Sequence, residues 1–302
     1  MSQVIAESSQ PDVPQTRSAG ATIAYAIHFI TASRGAIVRL LWLPTLVQGL
    51  ILYLSLSLYF TELVAFLQQP DERTAGQALG VLSVGLLSAL FFAGIAIVGL
   101  AELVSGNPPR IGWYYLRVTR AEWRFFAASV KLLLIFAGFL ALLSTLFFVG
   151  ARFVGTTPED AIASGLRFGG IAAMIGLFYL FLRFGFLIPP LAVAGHERIL
   201  RQSWRLSARA SGRLGIVVLV LLVPAIVVQI AGDFVLRTSG VLDAGSLSPA
   251  IAYLATSILD AFPYLLLMNM ISYVVAVVPL TAGAEAAYWR IVSRGPRVDS
   301  PS

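Results

Sequence analysis

Long hydrophobic runs separated by short polar segments dominate the pattern of this chain. Each run is close to or above the roughly 20 residues that an α-helix needs to cross a hydrocarbon core. The six runs lie at about residues 35–60, 78–104, 127–150, 168–193, 214–236 and 264–288. The pattern therefore predicts an all-α fold, a polytopic membrane bundle of six transmembrane helices.

The spans are interpreted as one domain, residues 21–290, between two polar tails. Residues 1–20 contain several Ser and Pro and no apolar core of a signal peptide, so we expect a disordered cytoplasmic tail there. Residues 291–302 are expected to form a second cytoplasmic tail. The second span is rich in Gly and Ala, which favours close packing of helices in lipid.

The segment 196–213 predicts an amphipathic helix between the fourth and fifth spans. Four basic residues at spacings of three and four share one face: Arg198, Arg201, Arg205 and Arg209. Six apolar or small residues lie opposite: Ile199, Leu200, Ser203, Trp204, Leu206 and Ser207. A basic stripe backed by an apolar face is typical of a helix in the headgroup layer. A solvated connector carrying cytoplasmic charge is the alternative.

Two further segments are expected to lie at the same interface. Residues 21–34 are mildly amphipathic and too short to span. In residues 105–126 Trp and Tyr alternate with basic residues, among them Arg117, Arg120 and Arg124. Aromatic rings among Arg are typical of headgroup depth, so these three Arg, like the stripe with Trp204, are candidates for binding lipid headgroups.

Basic residues are distributed unevenly between the two sides of the predicted bundle. Fifteen of the 21 Lys and Arg lie in tails and connections on one side and four on the other, and Lys131 and Arg183 lie within spans. Cytoplasmic segments carry the excess of Lys and Arg. The count therefore predicts that both the N- and C-termini are cytoplasmic.

The composition is typical of a membrane protein and limits the classes of partner that we expect. Charged residues make up 12% of the chain, about half the roughly 25% of soluble domains. The net charge of +6 would also suit nucleic acid, but no nucleic-acid-binding motif accompanies it. We expect anionic membrane lipids as partners and no nucleic acid, and a membrane-protein partner or a homo-oligomer stays open.

Candidate chemistry is sparse. There is no Cys, and His28 and His196 each lack a second ligand at metal spacing. Catalytic and nucleotide-binding motifs are missing as well, so we predict no enzyme, no catalytic residue, no cofactor and no metal.

Arg183 is the deepest ionisable residue in the predicted spans. An Arg within a span calls for a partner, and Arg183 is predicted to form a structural pair with Glu102 near the end of the second span. Alternatively, Arg183 lines the path of a transporter or permease subunit. Three similar units, beginning near residues 21, 108 and 195, suit parallel repeats, although topology alone produces much of this likeness.

The block from residue 183 to 222 resembles the bacterial YciC-like family. This family of six-span inner-membrane proteins is related to the membrane domain that precedes some glycerophosphodiester phosphodiesterases. The matching positions are Arg183, Pro189 or Pro190, Glu197, Ser203-Trp204-Arg205-Leu206 and Gly212-Arg213. The resemblance implies a non-enzymatic integral protein of the bacterial inner membrane, and we expect no phosphodiesterase domain after the sixth span.

Overall fold

The computed structural model describes residues 18–68, 72–106, 115–154, 170–208, 210–238 and 262–292, and all regular structure within them is helical. The helices are α1 (Ala19–Gln68), α2 (Glu72–Val104), α3 (Arg120–Val154), α4 (Gly170–Leu180), α5 (Ile188–Val193), α6 (Ile199–Ala208), α7 (Ser211–Thr238) and α8 (Phe262–Val292), with a π-helical turn at Phe181–Gly185. Most of the predicted tails, the aromatic segment 107–114 and Arg209 lie outside the described residues.

Five helical stretches are long and apolar enough to cross a membrane. They are Ala19–Ser55, Leu79–Val104, Arg120–Phe147, Gly170–Val193 and Ser211–Gly232. Their outer faces carry large apolar side chains such as Leu134, Met174 and Ile230, which are 64% to 74% exposed, as suits surfaces that contact lipid. An all-helical protein with several membrane-length helices is thus confirmed, and the role of the 31-residue α8 as a sixth span stays a prediction.

The start of α1 differs from the sequence interpretation. The structure has one 50-residue helix that continues through Pro44, in place of a separate interfacial segment followed by a span. Thr22 and Ala26 are buried, because the first turns of α1 pack against α7 and α8. At 1.5 Å per residue α1 is about 75 Å long, over twice the roughly 30 Å of a hydrocarbon core. Part of it therefore extends beyond any membrane it crosses.

The segment before α3 is not one interfacial helix either. Residues 115–119 are non-helical and α3 begins at Arg120, because a capping box defines its start. The Thr119 hydroxyl accepts a hydrogen bond from the Ala121 N–H at 3.2 Å, and the Glu122 carboxylate accepts one from the Thr119 N–H at 2.6 Å. Such reciprocal bonds satisfy donors that a helix start leaves unpaired.

Glycines of α2 permit close packing. A Cβ at Gly99 would lie 2.6 Å from Cε1 of Tyr115, and one at Gly94 would lie 2.9 Å from Cδ1 of Phe125. Gly106 has a different role, because its φ of 81° ends α2 in the left-handed conformation that glycine adopts readily.

Contacts bring the Arg-rich segments to one end of the bundle, here called the basic end. It comprises the start of α1, the end of α2, the start of α3, the α5–α6 connection, the start of α7 and the end of α8. The contacts that define it are Thr22 with Arg290, Gly99 with Tyr115, Gly195 with Arg124, and His196 with Tyr288. Arg213 of α7 lines one pocket with Thr22 and Arg290.

Candidate functional site

The helix that contains the fourth predicted span is interrupted where α6 packs on it. The Phe186 N–H donates to the Phe181 carbonyl at 2.9 Å, which widens the helix into a π turn, and regular α-helix resumes only at Ile188. Pro189 and Pro190 follow at the start of α5, and neither has an N–H to donate. The carbonyls of Gly185 and Phe186, four residues earlier, therefore lack their usual α-helical donors.

Helix α6 supplies donors to a carbonyl within the π turn, that of Arg183. The Ser203 and Ser207 hydroxyls donate to its oxygen at 3.1 and 3.0 Å, and both serine side chains are completely buried. The Ser207 hydroxyl also lies 3.2 Å from the Trp204 carbonyl. At membrane depth backbone polar groups must be satisfied within the protein, so these bonds fasten α6 to the interrupted helix.

The Arg183 side chain is held by the same helix. Its guanidinium carbon lies 3.9 Å from the centre of the Trp204 ring and 5.8 Å from that of Tyr179, within the range of cation–π attraction. Its side chain is 9% exposed, and its Nε has no hydrogen-bond partner among the described residues.

The ion pair expected between Arg183 and Glu102 is not seen among the described residues. Arg183 turns toward α6, where Trp204 covers its charge. Glu102 lies instead near Arg117 and Glu122, at the junction of α2 and α3.

A tight turn leads from α5 into α6. The N–H groups of Gly195 and His196 donate to the carbonyls of Ala192 and Leu191 at 3.2 and 3.1 Å, the bond pattern of a Schellman motif. Gly195 has a φ of 81°, and a Cβ there would lie 3.3 Å from Nη1 of Arg124. Arg124 thus rests on the carboxyl end of α5, where the helix dipole favours a cation.

The outward face of α6 carries the predicted basic stripe. Arg198, Arg201 and Arg205 are exposed, whereas Ile199, Ser203 and Ser207 are buried. Trp204 is 38% exposed and packs on Phe184, with 4.9 Å between ring centres. The helix therefore turns one face to the bundle and presents three guanidinium groups on the other.

The three candidate headgroup residues before and in α3 differ in their exposure. Arg117 and Arg120 are exposed, while Arg124 is half-buried on the α5–α6 turn. Trp123 is 56% exposed, and its ring centre lies 5.3 Å from that of Phe91 on α2.

Burial makes the Tyr115 side chain, at the basic end, less acidic than a phenol in water. Tyr115 lies in the non-helical segment before α3 and is 2% exposed. Burial raises the pKa of the Tyr115 hydroxyl, and the nearby carboxylates of Glu102 and Glu122 raise it further. The phenol therefore stays neutral.

The part of the chain that the structure describes holds no group of three or more His, Asp or Glu residues placed to bind an ion. No family model matches the chain, and no curated protein or solved structure is significantly similar to it.

Sequence reasoning missed the bonds from Ser203 and Ser207 to Arg183. Pro189-Pro190 signals that the helix is interrupted near this point, but it does not indicate which carbonyl accepts the serine hydroxyls.

Proposed function

We propose that this is a non-enzymatic integral membrane protein in which α6 binds the anionic headgroups of one leaflet. The observation that carries the proposal is the division of α6 into a fastened face and a charged face. Ser203 and Ser207 hold the helix through the Arg183 carbonyl, and Arg198, Arg201 and Arg205 are exposed opposite them.

The charge on α6 is large enough to retain lipid. Each Arg near an anionic surface contributes on the order of 1 kcal/mol, so three contribute about 3 kcal/mol, or roughly a hundred-fold in affinity. Because α6 is already ordered by its packing, binding does not have to compensate for the entropy of forming a helix.

The membrane and orientation belong to the same proposal. We place the protein in the bacterial inner membrane with six spans, with the basic end and both termini in the cytoplasm. The positive-inside distribution and the contacts that gather the Arg-rich segments at one end support this orientation, and the resemblance to the YciC-like family supports the membrane.

A transporter or permease subunit with a path near Arg183 is the second candidate. The buried Nε of Arg183, which has no hydrogen-bond partner among the described residues, favours it. The surroundings favour it less, because Leu182 and Leu187 are 7% and 0% exposed and Trp204 covers the guanidinium. Packing of this kind suits a structural Arg better than a water-lined path.

Charge reversal on α6 tests the lipid proposal. Arg201→Glu combined with Arg205→Glu is expected to reduce strongly the preference for phosphatidylglycerol over phosphatidylcholine among lipids retained in native mass spectrometry. The matched control, Arg201→Lys with Arg205→Lys, keeps both charges and is expected to keep the preference. Equal retention of phosphatidylglycerol by the Glu and Lys variants would refute the proposal.

Single cysteines test orientation and path, because the natural chain has no Cys. A Cys at the exposed Ala208 should react with a membrane-impermeant maleimide only when the cytoplasmic side is accessible. A Cys in place of Arg183 should stay unlabelled from both sides; labelling there would support the transporter instead.

A further inference from the structure

A pocket at the basic end lies where the starts of α1 and α7 meet the end of α8. Its polar lining consists of Ser18, Thr22, Arg213 and Arg290, and Leu214 and Val217 belong to its apolar wall. The pocket shares no lining residue with the Arg stripe of α6, and none of its lining residues is acidic.

The polar groups in this pocket suit an anion. Arg290 donates from Nη1 to the Thr22 hydroxyl, which holds its guanidinium at the pocket, and Arg213 contributes a second guanidinium from α7. The Ser18 hydroxyl accepts a hydrogen bond from the Ala21 N–H at 3.2 Å and keeps its own proton for another acceptor.

Helix polarity adds to these charges. The first turns of α1 and α7 both border the pocket, and the first N–H groups of a helix have no acceptor within the helix. Their partial positive charge favours an anion beside them. The guanidinium groups and the two helix starts thus both favour binding of an anion in the pocket.

The size and the apolar wall indicate which anion fits. The pocket has a volume of about 60 Å³, room for roughly four to six water molecules at 10–15 Å³ each, which is comparable to a phosphate group. Much of the remaining lining is apolar, including Val217 one turn deeper along α7. A phosphate fills this volume, and an apolar chain attached to it would continue over Ile216 and Val220, which are exposed and lie three and seven residues after Arg213 on the same face of α7.

We propose that this pocket binds the phosphate of one phospholipid, with Arg213 and Arg290 on the phosphate and the lipid chain leaving the pocket over the exposed Ile216 and Val220 of α7. The site does not depend on lipid binding by α6. It differs from that diffuse contact in holding a single lipid in a defined place.

Lipid titration tests the site in purified full-length protein. Stabilisation against thermal unfolding is measured while phosphatidylglycerol is added to delipidated protein, and native mass spectrometry counts the lipids retained. Arg213→Gln and Arg290→Gln are each expected to weaken the apparent Kd about five-fold and together about twenty-five-fold, at about 1 kcal/mol for each Arg. Arg34→Gln, which removes an exposed α1 charge away from the pocket, is the matched control.

One further variant and one further ligand complete the test. Ala210→Leu fills the pocket without changing any charge and should remove the single tightly held lipid even if the Arg variants fold poorly. Inorganic phosphate should protect far less than phosphatidylglycerol; equal protection would overturn the assignment to lipid.

The experiments distinguish failure of the pocket proposal from failure of the α6 proposal. The variant with Arg201→Glu and Arg205→Glu should still retain the one tight lipid. Retention of that lipid by the double Gln variant and by Ala210→Leu, as by the wild type, would overturn the site.

Discussion

Removing the two hydroxyl donors from α6 tests the link between the interrupted helix and the basic stripe. Ser203→Ala and Ser207→Ala each delete one hydrogen bond to the Arg183 carbonyl. Both side chains are completely buried, and replacing a hydroxymethyl with a methyl leaves little empty space. The change therefore acts mainly on the carbonyl.

The two substitutions should not be additive. A single substitution leaves the carbonyl with one donor, so each should lower the free energy of unfolding by about 0.5–1.5 kcal/mol, the net value of one hydrogen bond. The double variant leaves a buried carbonyl without either serine, which adds an unsatisfied-group penalty of about 1–3 kcal/mol. The double variant should therefore lose at least about 1 kcal/mol more than the sum of the single losses.

A double-mutant cycle measures this coupling. The free energy of unfolding is determined for the wild type, both single variants and the double variant, and hydrogen exchange follows the α6 amides. Ser83→Ala on the exposed side of α2 is the control and should change neither. Additivity within about 0.5 kcal/mol, or unchanged exchange in α6, would refute the account of how α6 is held.

Two other predictions concern the junction of α2 and α3. Gly99→Ala should lower the free energy of unfolding by about 1–3 kcal/mol, because its Cβ would lie 2.6 Å from the Tyr115 ring; Gly80→Ala in the same helix meets no atom within 4 Å and should be neutral or slightly stabilising in thermal unfolding. Tyr115→Phe should be neutral or stabilising by up to about 1 kcal/mol, because the buried hydroxyl has no hydrogen-bond partner among the described residues. Burial raises the pKa of the Tyr115 hydroxyl, so above about pH 10 ionisation of Tyr115 favours the unfolded chain, and below that pH it has no effect on stability. In alkaline titrations the free energy of unfolding of the wild type should therefore fall more steeply with pH than that of Tyr115→Phe. Equal slopes would contradict this.

The helical class follows from the sequence because hydrophobic run length is set by bilayer thickness rather than by tertiary contacts. The boundaries do not follow in the same way. The start of α1 has a polar and an apolar side, which suits an interfacial helix, yet Thr22 and Ala26 are buried against other helices. Which partner covers an amphipathic face is decided by packing, and the pattern of one segment does not contain that information.

The candidate site shows the same division between local and long-range signals. The stripe of Arg198, Arg201 and Arg205 could be predicted, because residues three and four apart share a helix face. The partner of Arg183 could not be predicted, because charge alone favours Glu102, whereas in the structure the guanidinium lies over the Trp204 ring. Ring contacts of this kind depend on the angle at which α6 returns to the interrupted helix, and the turn at Gly195 determines that angle.

Because α6 is bonded to the interrupted helix, anionic lipid bound by α6, as we propose, is expected to stabilise the whole bundle. Detaching α6 would expose the Arg183 carbonyl and remove Trp204 from its guanidinium, so the Arg stripe stays attached while the bundle is folded. A lipid that binds only the folded state adds RT ln(1 + [L]/Kd), or about 2.7 kcal/mol when the lipid is at a hundred times its Kd. Phosphatidylglycerol should therefore raise the unfolding temperature of the wild type more than phosphatidylcholine does. The difference should shrink when Arg201 and Arg205 are replaced by Glu and persist when they are replaced by Lys. A stabilisation that is the same for both variants would mean that lipid charge acts elsewhere on the protein, and α6 would then be a structural connector.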